Sequence, residues 1–171
     1  MTHYFPHASY AEDQTNAHAI LYIHVARAAA MSGSFLACFT AGVSLLASSR
    51  RYPIPITLST VAPRLLTHSA RGLVIGSVAG VAMTYGHMYG REEIEWQDRA
   101  CRLQENRAEG ETDVVSIGAA LAGANMAVLA ARAGMLGAVS VVRAGVGGAG
   151  LGMGTGVGYM ISTFLKGRKE P

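Results

Sequence analysis

Charged and uncharged positions segregate into blocks along this chain. Four windows carry no charge: Ala28 to Ser49, Gly72 to Gly90, Val114 to Ala131 and Ala144 to Leu165. All 14 basic and 11 acidic residues fall outside them. Each window is near the roughly 20 residues that a helix needs to cross bilayer hydrocarbon. The pattern predicts an all-α fold, a four-transmembrane-helix bundle forming a single membrane domain over residues 1–171. The spans are expected at about 28–48, 72–90, 114–131 and 144–165, with a polar loop over 91–113.

The last window holds eight glycines. In water each interior glycine costs roughly 0.8–1 kcal/mol relative to alanine, so propensity alone makes this a poor helix. In hydrocarbon an unpaired backbone amide costs several kcal/mol, so the segment must be helical. Glycine then lets a second helix approach closely. Gly148, Gly152 and Gly156 form one stripe; Gly150, Gly154 and Gly158 form another, with Gly147 near it. Two residues advance a helix by about 200°. The stripes therefore face nearly opposite ways, which suits a helix lying between two neighbours. Gly72, Gly76 and Gly80 repeat the device in the second window, and Gly118 and Gly123 are the packing glycines expected in the third. Gly145, Gly147 and Gly150 also fit the G-x-G-x-x-G dinucleotide fingerprint. That motif needs a following βα unit and an acidic residue about 20 positions on. Glu170 sits in a basic tail, and the residues up to Pro171 leave no room for the rest of such a unit, so a nucleotide fold is not expected.

In chain order, Ser9 and Glu12 form a capping box that predicts a helix from near Tyr10, running through His18 and His24 into the first span. Arg27 is expected to snorkel to the headgroups. Arg50, Arg51, Pro53 and Pro55 end that span. Residues 50–71 hold four arginines and no acid, with a short amphipathic surface helix expected over 57–68. Arg50, Arg51 and Arg64 are candidate ligands for phospholipid headgroups, cardiolipin among them. Tyr85, His87 and Tyr89 suit the far interface of the second span. Residues 91–113 contain eight acids and four arginines. The pairs Glu95/Arg99 and Asp98/Arg102 have the favourable i,i+4 order. They predict that the second span continues into water as a charged helix to near Gly110. This stretch is either a solvated face or a docking surface anchored by Ile94, Trp96 and Leu103. The ten apolar residues between Arg132 and Arg143 extend the third span, extend the fourth, or form a turn. After Leu165 the tail returns to water.

Composition narrows the function classes. A net charge of +3 without a basic run gives no nucleic-acid signature. Cys38 and Cys101 make neither a disulfide framework nor a metal site, and a bond between them requires their segments to meet at one membrane face. His3, His7, His18, His24, His68 and His87 show no ligand spacing, so no metal, cofactor or catalytic group is expected and an enzyme is the weakest hypothesis. The first residues lack the cationic start and apolar core of a signal peptide. Four crossings would place both termini and the acidic loop on one side, and the count of basic residues does not decide which side.

With the spans, the Gly72/Gly76/Gly80 stripe and the segment GETDVVSIGAALAG with Asp113, Gly118 and Gly123 in place, the sequence resembles the four-span preprotein translocase channel family of the mitochondrial inner membrane. Within it, the chain is most similar to the member built into the membrane arm of respiratory complex I. The resemblance covers about residues 17–165. It implies a non-catalytic accessory subunit supporting assembly and stability, bracing integral membrane subunits of a large respiratory complex through its glycine faces. It also implies termini in the intermembrane space and the arginine-rich loop in the matrix. The alternative is a preprotein translocase or transporter component, which predicts a polar cavity along the bundle.

Overall fold

The computed structural model describes residues 4–51 and 55–167. His3, Pro53 and the tail beyond Gly167 lie outside the described residues. The described chain contains helices and turns and no strand: a 3-10 turn over Ala11–Asp13, then α1 (Ala17–Arg51), α2 (Leu58–Met88), α3 (Glu93–Glu105), α4 (Arg107–Arg132) and α5 (Val141–Leu165). Three of these, α1, α2 and α4, are long and apolar enough to cross a membrane. The fourth expected span, α5, has 25 residues. Eight of those residues are glycine, and α5 is not among the three.

Several boundaries differ from the sequence expectation, each for a local reason. Ser9 and Glu12 do not open a long helix; Tyr10 leads only into the 3-10 turn, and α1 starts at Ala17. The 57–68 stretch is no separate surface helix but the first turns of α2. Pro63 is tolerated there because it removes only one intrahelical bond near the helix start. The charged segment does not continue α2. Gly90 adopts a φ of +72°, a conformation side chains disfavour, and the chain turns into α3. Then α4 begins at Arg107, seven residues before the uncharged window, so Glu109, Glu111 and Asp113 belong to that helix. The Asn106 side chain caps it, accepting from the backbone N–H of Ala108 at 3.0 Å. The 133–140 stretch is a turn, with Gly134 at φ +73°, and Ser140 caps α5 by accepting from Arg143 N.

The helices run up, down, up, down, with α5 packed against α4, α2 and α1. The contacts are made by missing side chains. A Cβ on Gly33 of α1 would stand 2.5 Å from the carbonyl oxygen of Gly72 in α2, and one on Gly80 would stand 2.6 Å from that of Val25. Gly123 of α4 meets Gly148 of α5 in the same way, backbone against backbone.

Polar side chains share the interior with apolar ones such as Leu66, Met88 and Trp96. Of the six largest fully buried side chains, only Ile20 is apolar; the others are Gln14, Asp113, Ser34, Ser69 and Ser116. Leu36, Phe39, Val43, Ile75, Val78, Leu121, Met126 and Leu129 all point outward and are exposed. An apolar surface this extensive marks contact with lipid or with other membrane proteins.

Candidate functional site

Two constellations bring together residues distant in sequence. The first ties α1 to α4, which α5 holds apart. Arg27 does not snorkel to headgroups: its side chain is only 4% exposed and its Nε lies 2.7 Å from Asp113 Oδ1. Its Nη2 donates to Glu109 Oε2 at 3.0 Å and lies 3.4 Å from His24 Nδ1. Glu109 and Asp113, four apart, share one face of α4 and converge on a single guanidinium. A cation buried this deeply requires such partners, since stripping its hydration without compensation costs several kcal/mol. Sequence placed Arg27 and Asp113 at the edges of separate windows; nothing in it said that those edges meet.

The second constellation is at the same end of the bundle. Trp96 and Ala100, four apart on α3, are buried against Ala17, Ile20, Leu21 and Met88, with Leu103 packed beside them. Trp96 stacks on His18 with ring centroids 3.9 Å apart, and His18 pairs with Glu93 at 2.8 Å. Trp96 and Leu103, read as anchors for a partner, are thus used within the chain, while Ile94 stays exposed. The N-terminal segment lies across α3. Gln104 Nε2 donates to the Phe5 carbonyl at 3.1 Å, Gln97 Nε2 to that of Glu12 at 3.0 Å, and the buried Gln14 to that of Pro6 at 2.9 Å. His7 Nε2 is thereby brought 3.7 Å from Cys101 Sγ. Burial, then the nearby carboxylates of Glu105 and Asp98, raise the Cys101 thiol above its ordinary value. Cys38 and Cys101 are both free thiols.

The packing glycines divide by environment. Gly72, Gly76 and Gly80 of α2 pack against α1, and Gly123 of α4 packs against α5. On α5, Gly148 and Gly152 face α4, while Gly156 meets Met31 of α1 and Ser116 of α4. On the other side of α5, Gly147 and Gly150 lie on Leu66 and Ser69 of α2, and Gly154 lies on Phe35 of α1. Ser69 Oγ donates to the Gly147 carbonyl at 2.8 Å, a bond across that contact. Gly118 and Gly158 have open space where a Cβ would stand. Apart from Gly118 and Gly158, the expected packing glycines therefore make their close contacts within the chain.

Charge is polarised along the bundle. Arg50, Arg51, Arg132 and Arg143 lie at the helix ends on one side of the bundle and Arg64 and Arg71 along the first half of α2, with no acid among the described residues there, whereas every described acid lies toward the other end. Arg64 is committed internally, donating to the Ser44 carbonyl at 2.9 Å and to Ser48 Oγ at 2.7 Å. Arg50 and Arg51 are exposed. Among the described residues, two clefts stand out. One, of about 390 Å³, has Leu21, Val25, Met83 and Met88 as walls and His87 and Arg99 at its edge. The other, of about 400 Å³, runs between α2 and α4 over α5, and every residue lining it is apolar or glycine, including Leu58, Leu65, Met126 and Leu151.

A chain that is helical throughout its described elements, with extensive outward apolar surface and three membrane-length apolar helices, is of the membrane-protein class. It belongs to the DUF1757 family, described as proteins of unknown function, whose model matches residues 12–162. No curated protein and no solved structure matches the chain.

Proposed function

We propose that this chain is a non-catalytic structural subunit of the mitochondrial inner membrane, an accessory subunit of the membrane arm of respiratory complex I (NADH:ubiquinone oxidoreductase) that supports its assembly and stability. The observation that carries this reading is the outer surface. The bundle is closed by its own glycines, and large apolar side chains such as Leu36, Phe39, Val78 and Met126 are left outward for lipid and membrane neighbours. In this proposal α5 is the fourth crossing. It is uncharged from Ala144 to Leu165, and at 1.5 Å per residue such a helix exceeds the roughly 30 Å of hydrocarbon. Both termini and α3 then occupy the intermembrane space. The all-arginine end lies in the matrix, where exposed Arg50 and Arg51 meet anionic phospholipid, cardiolipin being a suitable one. A blue-native gel of solubilised mitochondria, probed for this chain, is expected to show it migrating with complex I. Purified complex I that lacks it by mass spectrometry would overturn the assignment.

A second reading, a translocase or transporter component, would have to use the concave groove between α2 and α4. A path for polar cargo calls for polar lining, and this groove offers none among its lining residues. Precursor import after depletion separates the two: a brace leaves uptake largely intact, whereas a translocase component does not.

A further inference from the structure

The ends of three side chains that the function above does not use converge on α3. The ligand atoms of His7, Cys101 and Glu105 all lie within 4.8 Å of one another. We propose that His7 Nε2, Cys101 Sγ and a Glu105 carboxylate oxygen form a binding site for one divalent transition metal ion of the zinc type.

The geometry is close to what such an ion requires. With bonds of about 2.0–2.3 Å in a tetrahedral arrangement, a sulfur and a nitrogen ligand stand about 3.5 Å apart. Cys101 Sγ and His7 Nε2 stand 3.7 Å apart. Cys101 and Glu105 are four apart on α3, so both project from one helical face. His7 sits on a segment fixed on either side of it. Phe5 and Pro6 accept from Gln104 and Gln14, and the Ala8 N–H donates to Gln14 Oε1 at 3.1 Å. This is the same segment that Gln97 ties to α3 further along. One nitrogen, one thiolate and one carboxylate select zinc or a later first-row ion over calcium or magnesium, which take oxygen ligands. The carboxylates of Glu105 and Asp98 also favour a cation at this place.

On binding, the Cys101 S–H bond breaks, its proton passes to solvent, and the thiolate pair forms the bond to the ion. Three protein ligands leave a fourth position for water. Because His7 and Cys101 come from segments 94 residues apart, the ion would staple the N-terminal segment to α3, and through Trp96 to α1. The site sits outside the apolar spans and does not depend on the identity of the surrounding complex.

The test uses the full chain in detergent without a polyhistidine tag. Zinc is quantified per chain, and Co²⁺ replaces it as a spectroscopic probe. The expected result is close to one zinc per chain, removable by chelator, and a thiolate-to-cobalt charge-transfer band. Cys101→Ser should abolish that band, and His7→Ala and Glu105→Gln should each weaken zinc affinity by about 100-fold or more, at least the loss seen for outer-shell partners. Should Cys101→Ser fail to fold, His7→Ala decides alone, because His7 is exposed and lies outside any helix. Substoichiometric zinc with no cobalt–thiolate band in the folded chain overturns the proposal. So does metal binding that is unchanged by His7→Ala.

Discussion

The effect on stability of replacing glycine by alanine on α5 should change sign between two positions six residues apart. At Gly152 a Cβ would be driven into the carbonyl of Ala119 and would stand 2.8 Å from the Cα of Ala120. Both are backbone atoms of α4, so no rotamer change relieves the overlap; α5 must move away from α4 by something on the order of 1 Å. Overpacking of this kind costs about 1–3 kcal/mol, occasionally more. At Gly158 a Cβ meets nothing within 4 Å. There the gain in helix propensity, at most about 1 kcal/mol, is unopposed. For a domain of this size each kcal/mol moves the midpoint by about 2–4 °C. Gly152→Ala is thus expected to lower Tm by about 2–12 °C and Gly158→Ala to raise it by up to about 4 °C. Thermal unfolding of the purified protein in detergent, followed by helical circular dichroism, measures both. If the two variants shift Tm in the same direction, the claim that α4 and α5 touch backbone to backbone at Gly152 is wrong.

Further outcomes follow from the same structure. Arg27→Met takes the cation away from two carboxylates and should cost about 3–5 kcal/mol. Asp113→Asn leaves the Arg27–Glu109 pair and should cost less, and the triple variant Arg27→Met, Glu109→Gln, Asp113→Leu should recover much of the loss in a denaturation series. Trp96→Ala should cost about 3–5 kcal/mol and release α3 to proteolysis. The single tryptophan makes the native protein's own fluorescence a monitor of the same docking. Arg50→Gln with Arg51→Gln should reduce cardiolipin retained through purification while leaving Tm nearly unchanged. Arg64→Ala should instead lower Tm, because Arg64 is bonded to Ser44 and Ser48; equal lipid loss in both would contradict that division.

The sequence by itself determined the helical class and the membrane-length windows, because an uncharged run of about 20 residues is a local property that no later packing alters. It also marked the glycines whose spacing places them on common helix faces. It did not determine who uses those faces. Gly72 and Gly148 meet α1 and α4 of the same chain, while Gly118 and Gly158, indistinguishable from them in pattern, meet nothing. That choice depends on how far each helix is rotated and shifted against its neighbours. The shift is considerable. Gly33 packs on Gly72, so the charge-free windows of α1 and α2 are staggered along the helix pair. Only the tertiary structure put Asp113 beside Arg27, and His7 beside Cys101. Such pairings join positions more than 80 residues apart, and their distances are set by the folded bundle as a whole.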